Sequence, residues 1–396
     1  AADFTNNDST NFTKVTFVVE DGWLKIDPID EVTVTITGKT KTETYNGNPY
    51  SVEGYTVTSI SNDLYTEDDF EFTGEAKATG TEAGTYYMGL TAADFTNNDS
   101  TNFTKVTFVV EDGWLKIDPI DEVTVTITGK TKTETYNGNP YSVEGYTVTS
   151  ISNDLYTEDD FEFTGEAKAT GTEAGTYYMG LTAADFTNND STNFTKVTFV
   201  VEDGWLKIDP RPVTLTSGSA ERVYNGEALT NDTVTVSGDG FVEGQGATYN
   251  VTGSQTDVGT SDNTFTYTLN KGTKADNYSI ELVFGKLEVT PVTEEVIVTI
   301  TGRTHETTYD GKEHSVFGYD VTVSNALYTP KEDMRFNGID ADATAKGTDA
   351  GTYPMELTAE NFTNISDNFT NVTFVVTDGY VKINPRAVTL TSETAG

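Results

Sequence analysis

The sequence predicts an all-β protein, built as a tandem array of Ig-like β-sandwich domains. Three observations support this: the chain repeats itself, its segments alternate apolar residues with threonine, and turns rich in glycine and asparagine separate these segments at short intervals. The alternative is an array of β-grasp-like modules, in which a helix of ten or more residues packs on one sheet. No ten-residue stretch combines helical periodicity with good helix formers, so the sandwich is preferred.

The repeats define the units. Residues 1–91 recur letter for letter at 92–182, and the same stretch starts again at residue 183 and holds through Pro210. Boundaries set at the proline that ends each WLKIDP-like stretch predict four units. These are a long repeat (29–119), its identical copy (120–210), a short diverged repeat (211–291) and a diverged long repeat (292–385).

The first complete unit predicts its strands in order. Residues 32–37 read VTVTIT, the alternation of a half-buried strand. Tyr45-Asn46-Gly47 then predicts a hairpin turn, since Asn and Gly both tolerate positive φ. Residues 61–68 have room for one helical turn, and Glu111-Asp112-Gly113 predicts a turn joining the last two strands as a hairpin. The other expected strands span 54–60, 69–78, 85–90, 103–110 and 114–117, so each domain should hold six to eight strands.

Comparison of corresponding positions in the four units distinguishes residues of the core from residues at the rim of a domain. Trp114 is replaced by Lys286 in the third unit and by Tyr380 in the fourth, so this position belongs at a rim or an inter-domain contact. Leu115 and Ile117 stay apolar in every unit. We therefore expect these two side chains in the core.

The two terminal segments match only parts of a unit. Residues 1–28 are the C-terminal part of a long repeat, and residues 386–396 are the start of a further short repeat. We therefore expect the natural protein to continue at both ends. Completion of strands between identical copies is disfavoured, because the two segments belong to different repeat types. Short proline junctions and like charge favour an extended row with little contact between non-neighbouring units.

Composition excludes several classes of function. The chain has 396 residues with 63 acidic and 24 basic side chains, a net charge of -39. This charge repels nucleic acid and anionic membranes, and no apolar run is long enough to insert into a bilayer. Cysteine is absent and only two histidines occur. Since nothing pairs a nucleophile with a base, we expect no enzyme activity.

One acidic cluster is a candidate metal site. Glu67, Asp68, Asp69 and Glu71 lie beside a predicted turn, and carboxylate oxygens are the ligands that calcium prefers. The alternative is a solvated loop that keeps the array soluble. The Asp-x-Asp-x-Asp-Gly spacing of a calcium loop is missing, and the fourth unit carries Lys331 within the cluster. We therefore expect no cofactor, with calcium at this loop as the remaining candidate.

Other reactive side chains are interpreted as surface residues. His305 and His314 occur only in the fourth unit and are too few for a metal site. An internal isopeptide bond shared by all units is not expected, because no lysine position is kept: Lys116, for example, corresponds to Glu288. The Asn-x-Ser/Thr sequences are interpreted as Asn/Thr-rich strand ends rather than glycan acceptors.

Three motifs recur in the same order along the units. They are Tyr-Asn-Gly or Tyr-Asp-Gly near the start, Ala-Gly-Thr-Tyr in the middle, and Asn-Phe or Asn-Tyr followed by Gly-x-Leu-x-Ile/Val-x-Pro at the end. The third unit departs in the middle, where Val258-Gly259-Thr260 is not followed by tyrosine. This order resembles that of MBG/YDG-type repeats, the extracellular modules of large bacterial surface proteins and adhesins. Examples are Tyr45-Asn46-Gly47, Tyr224-Asn225-Gly226, Tyr309-Asp310-Gly311, Ala83-Gly84-Thr85-Tyr86, Ala350-Gly351-Thr352-Tyr353 and Asn277-Tyr278.

The resemblance implies an extracellular protein at a bacterial cell surface. The first functional hypothesis is a rigid spacer in a surface stalk or filament, whose partners are the neighbouring repeats and other copies in a fibre. The alternative is a multivalent adhesin that binds mucin, glycan or host matrix through exposed Tyr and Trp rings.

Overall fold

A computed structural model of the chain describes residues 1–338 and 343–392. This part contains 38 strands, six short 3₁₀ turns and one helix of four residues, Pro330–Asp333. The all-β fold of tandem sandwiches is therefore confirmed. In residues 60–70, where a β-grasp module would need its long helix, the only helical element is the 3₁₀ turn Glu67–Asp69. Among the described residues, no helix is long and apolar enough to cross a membrane.

The chain folds into two compact units, each of which contains more than one of the four sequence repeats or parts of them. From here on, 'unit' means one of these two, and the sequence units are called repeats. The first consists of Ala1–Lys132, Ser142–Ala169 and Tyr177–Leu206, and the second of Thr133–Tyr141, Thr170–Thr176 and Lys207–Gly396. The first unit therefore contains the whole of residues 29–119, and the second contains the third and fourth repeats.

The first repeat has ten strands. One three-stranded sheet places β1 at the centre, antiparallel to β4 and parallel to β9. A second sheet places β10 between β2, which is parallel, and β7, which is antiparallel. Two short antiparallel pairs, β3 with β6 and β5 with β8, complete the repeat. The strands are β1 (Val32–Gly38), β2 (Thr40–Thr44), β3 (Tyr50–Glu53), β4 (Tyr55–Ile60), β5 (Phe70–Phe72), β6 (Lys77–Gly80), β7 (Gly84–Tyr87), β8 (Phe95–Asn97), β9 (Val106–Glu111) and β10 (Trp114–Asp118), with 3₁₀ turns at Glu67–Asp69 and Ala92–Asp94.

Alternation along β1 builds the main core of this repeat. Val32, Val34 and Ile36 are completely buried and pack with aromatic rings that include Phe103. A smaller core forms on the second sheet around Leu115 and Ile117, as the sequence predicted. Trp114 is half-buried on the face of this sheet, where it pairs with Tyr87, in keeping with the predicted rim position.

Both predicted hairpins are wrong in their pairing. The Asn46-Gly47 turn forms, with Gly47 at φ 74° and the Asn46 side chain accepting the Asn48 amide at 2.9 Å. However, β2 and β3 lie in different sheets, and so do β9 and β10. Each turn carries the chain from one sheet to the other, so its ends do not pair.

The strand count also exceeds the prediction of six to eight. The expected strand at 69–78 divides into β5 and β6, which pair with different partners. In addition, β2, β3 and β8 were not expected. These strands are only three to five residues long, and their pairing depends on segments distant in sequence.

The second repeat has the same order of elements. In the first unit, β11 lies between β14 and β19, and β15 pairs with β18. The strands are β11 (Val123–Gly129), β12 (Thr131–Thr135), β13 (Tyr141–Glu144), β14 (Tyr146–Ile151), β15 (Phe161–Phe163), β16 (Lys168–Gly171), β17 (Gly175–Tyr178), β18 (Phe186–Asn188), β19 (Val197–Glu202) and β20 (Trp205–Asp209), with 3₁₀ turns at Glu158–Asp160 and Ala183–Asp185.

The third repeat keeps the two central strands despite its diverged sequence. β21 lies between antiparallel β23 and parallel β27, and β28 lies between parallel β22 and antiparallel β25. β24 and β26 form an antiparallel pair. The strands are β21 (Arg211–Ser217), β22 (Ala220–Val223), β23 (Val234–Gly238), β24 (Ala247–Val251), β25 (Gly259–Asp262), β26 (Phe265–Leu269), β27 (Tyr278–Val283) and β28 (Lys286–Thr290), with a 3₁₀ turn at Ala275–Asn277.

The fourth repeat returns to the long form. β29 lies between β32 and β37, β38 lies between β30 and β35, and the pairs β31–β34 and β33–β36 follow. The elements are β29 (Val296–Gly302), β30 (Thr304–Thr308), β31 (His314–Phe317), β32 (Tyr319–Val323), α1 (Pro330–Asp333), β33 (Met334–Phe336), β34 (Thr344–Gly347), β35 (Gly351–Pro354), β36 (Phe362–Asn364), β37 (Val372–Thr377) and β38 (Tyr380–Asn384), with a 3₁₀ turn at Ala359–Asn361.

The terminal segments form no strands in residues 1–28 and 386–392, the parts that the structure describes. Residues 1–28 repeat the letters of 92–119, yet Trp23 and Leu24 are 80% and 86% exposed whereas Leu115 is completely buried. Residues 386–392 likewise expose Val388 and Leu390. The rest of the further repeat expected at 386–396 lies outside the described residues.

Candidate functional site

One residue of the acidic loop, Asp69, has a structural role. Asp69 Oδ2 accepts hydrogen bonds from the backbone amide and the hydroxyl of Thr66, at 2.7 and 3.0 Å, and so caps the 3₁₀ turn. Glu67 and Asp68 belong to the same turn, and Glu71 lies on β5. In the part of the chain that the structure describes, no three Asp, Glu or His side chains are grouped to hold a metal ion.

The two histidines are neighbours in space. The rings of His305 and His314 lie 5.9 Å apart, on β30 and β31. His314 Nε2 is 2.9 Å from Asp310 Oδ1. This hydrogen bond, with the Lys312 backbone amide as a second donor, holds the pKa of Asp310 below its ordinary value.

Two lysines of the first repeat, Lys105 and Lys116, form surface ion pairs. Lys105 lies 2.9 Å from Glu31 and Lys116 lies 2.7 Å from Asp118, and more than half of each lysine side chain is exposed. Carboxylates therefore hold both ammonium groups at the surface.

The recurring motifs meet at the junctions between consecutive repeats. At the first junction, within the first unit, the Tyr45 ring packs edge-on against Phe194, with centroids 5.7 Å apart. Asn193 Oδ1 accepts the backbone amide of Ala83 at 2.8 Å, while Asn193 Nδ2 donates to the Glu82 carboxylate. One asparagine thus satisfies two groups of the preceding repeat, and it is 4% exposed.

The second junction, within the second unit, repeats this arrangement. Asn277 Oδ1 accepts the Ala174 amide at 2.8 Å, and Asn277 Nδ2 donates to Glu173. Lys274 lies 2.8 Å from the same carboxylate, and its hydrogen bond, together with that of Asn277, lowers the pKa of Glu173. Burial leaves Asn277 only 1% exposed.

At this second junction, a tyrosine with hydrogen-bonded neighbours takes the place that Phe194 has at the first. Tyr136, the tyrosine of the Tyr-Asn-Gly motif, packs edge-on against Tyr278 at 5.5 Å. Tyr278 donates to Gln245 Oε1 at 2.6 Å, and Gln245 Nε2 donates to the Tyr136 hydroxyl oxygen at 2.9 Å. Gln245 therefore supplies the hydrogen bonds that two buried hydroxyl groups need.

The third junction also lies within the second unit. Tyr224 packs edge-on against Phe369 at 5.6 Å, and Asn368 Oδ1 accepts the Val258 amide at 2.8 Å. Asn368 Nδ2 donates to Asp257 Oδ1 at 3.1 Å. The donor is a backbone amide, so the hydrogen bond does not depend on the side chain at this position. It therefore forms with Val258 as it does with Ala83 and Ala174 at the other two junctions.

The same three elements therefore build every junction. One repeat contributes the tyrosine of its Tyr-Asn-Gly motif, and also an acidic side chain with the backbone amide of the following residue. The next repeat contributes an asparagine and the aromatic residue that follows it. Sequence reasoning found these motifs but did not assign them a contact. Their shared order in four repeats was the available signal, because residues that meet across a junction must be kept in every repeat.

The Asn-aromatic side of each junction rests on a buried tyrosine in the long repeats. Burial, reinforced by nearby aspartates, raises the pKa of Tyr65, Tyr156 and Tyr328 to about 12. Each hydroxyl donates to a backbone carbonyl and lies within 3.2 Å of an asparagine Oδ1. Their rings pack edge-on against Phe103, Phe194 and Phe369 respectively.

These features define a tandem all-β repeat protein with one recurring junction. The MBG domain model matches residues 32–119, 123–210 and 296–385, which together make up more than half of the chain. The chain therefore belongs to the MBG domain family. Such tandem repeats fit an extracellular repeat region, and the resemblance stated from the motifs is confirmed.

Comparison with solved structures finds tandem Ig domains. The I9–I11 tandem of titin is 10% identical, with a TM-score of 0.19, over 67% of this chain and 100% of that one. The N-terminal eight Ig domains of Down syndrome cell adhesion molecule are 10% identical, with a TM-score of 0.17, over 88% of this chain and 47% of that one. No curated protein matches the sequence.

Proposed function

We propose that this chain is the structural repeat region of a bacterial cell-surface stalk or extracellular filament, where it acts as a rigid spacer without catalytic activity or a bound cofactor. The observation that supports this role is the junction, which recurs three times with the same tyrosine, backbone amide and asparagine. A flexible linker would not need a buried tyrosine and a doubly hydrogen-bonded asparagine at each step. Partner repeats hold one another, so the spacing between them is fixed.

Small-angle X-ray scattering tests the rigidity of the spacer. An acidic chain with flexible joints contracts when salt screens the repulsion between its repeats, whereas fixed joints keep the particle dimensions constant. We expect the maximum dimension of the full chain to stay the same between about 0.01 M and about 1 M salt. A steady contraction over this range would contradict the rigid spacer.

The second candidate is a multivalent adhesin, and one surface favours it. Tyr87 is 67% exposed beside Trp114, with Thr85 and Lys116 on the same face, around a depression of about 220 Å³. Tyr178 repeats this exposure at 67% in the second copy. Exposed aromatic rings flanked by hydroxyl and ammonium groups suit stacking on sugars.

Binding to immobilised mucin separates the two candidates. For the adhesin, the full chain binds mucin and the double variant Tyr87→Ser/Tyr178→Ser loses most of that binding. For the spacer, the full chain and the variant bind equally weakly. The substitutions replace two exposed rings, so unfolding midpoints of the two proteins should agree.

A further inference from the structure

The two histidines of the fourth repeat form a pair with a supporting aspartate. Their rings lie 5.9 Å apart, with His305 exposed on β30 and His314 half-buried at the start of β31. Asp310 belongs to the turn between these strands, and its Oδ1 lies 2.9 Å from Nε2 of His314. The exposure of His305 leaves the pair accessible to an ion from solvent.

All three side chains are particular to the fourth repeat. In the first repeat the corresponding positions hold Lys41, Asn46 and Tyr50, and the Lys41 ammonium group lies 5.6 Å from the centre of the Tyr50 ring. The identical second repeat has the same letters. The fold therefore brings the two outer positions together in the first repeat as in the fourth. In the fourth repeat, two imidazoles replace a cation–π pair and an acid replaces the asparagine between them.

Asp310 determines which nitrogen of His314 carries the proton. Asp310 Oδ1 also accepts the backbone amide of Lys312 at 3.0 Å, which holds the carboxylate in place. A carboxylate accepts hydrogen bonds and donates none, so Nε2 of His314 carries the proton and Nδ1 of the neutral ring keeps a free lone pair. A carboxylate in this position orients an imidazole and raises its basicity as a metal ligand.

The separation of the two rings suits one shared ion. Zinc–nitrogen bonds are about 2.0–2.1 Å long, so two imidazoles that bind the same ion place their ring centres about 5–6 Å apart. The observed 5.9 Å lies within this range. Imidazole is a ligand for zinc, copper and nickel, whereas calcium and magnesium prefer oxygen.

The carboxylate next to His305 in sequence is engaged elsewhere. Glu306 Oε1 accepts the Tyr380 hydroxyl at 3.1 Å, and Glu306 Oε2 lies 3.6 Å from the Lys382 ammonium group. Neighbouring residues of a strand point to opposite faces, so Glu306 lies on the other face of β30 from His305. The two imidazoles are therefore the ligands that this site offers.

We propose that His305 and His314 together bind one divalent transition-metal ion, such as Zn²⁺, Ni²⁺ or Cu²⁺, while Asp310 positions His314. Water completes the coordination, because the described residues offer no group of three ligands for a metal ion. The site is therefore open and exchanges its ion, unlike a closed structural zinc site with four protein ligands. Sequence reasoning counted two histidines as too few, since it showed neither their proximity nor the support from Asp310.

The bound ion joins two sheets of the fourth repeat. β30 and β31 lie in different sheets, and the Tyr309-Asp310-Gly311 turn connects them. Because the two imidazoles adjoin only in the folded chain, the ion stabilises the folded fourth repeat. The spacer role does not require this ion, so either proposal can fail without the other.

NMR of the full chain with ¹³C-labelled histidine tests the site, because His305 and His314 are its only histidines. Zinc chloride at neutral pH should shift both ring signals along one common binding curve. Calcium chloride at the same concentration should leave both signals in place, since calcium prefers oxygen ligands. A zinc shift of one signal alone, or of neither, would overturn the proposal.

Two variants identify the ligands. His305→Lys and His314→Tyr introduce the residues that the first repeat carries at these positions, so the fold accommodates both. In either variant the remaining histidine should need at least about tenfold more zinc for the same shift, because the second ligand no longer acts within the same molecule. Equal zinc affinity in the parent chain and both variants would show that the rings share no ion.

A further pair of variants tests the positioning role of the aspartate. Asp310→Asn should weaken zinc binding by about 10–100-fold while both ring signals still shift together. Glu306→Gln removes the same charge from a neighbouring carboxylate and should bind zinc as the parent chain does. Equal weakening in both variants would show that zinc responds to surface charge alone. Unfolding midpoints without metal confirm that every variant is folded.

Discussion

At the scale of single residues, Asn102 and Asn193 occupy the same place in two identical repeats but have different contacts. Both stand in identical stretches of sequence and both bond to an aspartate three residues earlier. Only Asn193 also holds the amide of Ala83 and the carboxylate of Glu82. Its role therefore comes from the neighbouring repeat.

This comparison gives the first prediction. Asn193→Ala should destabilise the folded chain by about 1–3 kcal/mol, because it leaves the half-buried backbone amide of Ala83 without an acceptor. The matched variant Asn102→Ala removes an exposed side chain and should change stability by less than about 0.5 kcal/mol. Denaturant unfolding followed by tryptophan fluorescence measures both. Equal shifts in the two variants would show that the junction contact contributes no stability.

The buried tyrosines give a second prediction, on alkaline pH. Tyr65, Tyr156 and Tyr328 have a pKa of about 12 in the folded chain, against an ordinary value of 10.0. Their contribution to stability is complete below pH 10 and is lost as the pH rises towards 12, because only the unfolded state then ionises them readily. We expect the long repeats to unfold in this window, with a late rise in tyrosinate absorbance.

Tyr65→Phe is the control for this titration. It should remove part of the late absorbance and leave the other two long repeats unchanged. If all tyrosines titrate near pH 10 while the chain remains folded, the burial of these hydroxyl groups is not what governs their ionisation.

At the scale of elements, the crossing between the two sheets depends on close backbone contact. A Cβ atom at Gly113 would lie 2.6 Å from both the Lys39 carbonyl oxygen and the Met88 sulfur. This glycine ends the turn that carries the chain from β9 to β10. The crossing therefore leaves no room for a side chain.

The third prediction follows from this contact. Gly113→Ala should destabilise the first repeat by about 1–3 kcal/mol, because backbone atoms must shift to admit the methyl group. Gly22 occupies the same place in an identical stretch but has nothing within 4 Å of a Cβ, so Gly22→Ala should leave stability unchanged. Thermal unfolding of the two variants checks this, and a large loss in Gly22→Ala would contradict it.

Elements also persist where the sequence diverges. Ser217 takes the place of the glycine that ends β1, and its hydroxyl donates to the Asn263 carbonyl at 2.6 Å and accepts the Gly285 amide at 3.0 Å. The third repeat thus keeps its central strands through a different set of contacts. Mixed pairing around one buried strand is the feature that all four repeats share.

At the scale of the whole molecule, the net negative charge opposes folding. A net charge of -39 raises the free energy of the folded chain through repulsion, and most of its ion pairs are exposed and weak. As the fourth prediction, the thermal unfolding temperature should rise between about 0.01 M and about 1 M sodium chloride. A fall over this range, measured by calorimetry, would show that surface ion pairs outweigh repulsion.

The sequence by itself determined the repeats, the strand-forming alternation, the core positions Leu115 and Ile117, and the motifs of the MBG family. These follow from local patterns, because a period of two places every second side chain on one face of a strand. The candidate site was visible only as recurring letters, since nothing local shows that a tyrosine meets an asparagine of the next repeat.

Only the tertiary structure decided which strands pair and which side chains are covered. The letters VTFVVE form β9 at 106–111, beside β1, but form no strand at 15–20, where no described segment pairs with them. Turns expected to close hairpins instead cross between sheets, because glycine turns permit both outcomes. A strand completes its backbone hydrogen bonds only with a partner, and that partner lies far away in sequence.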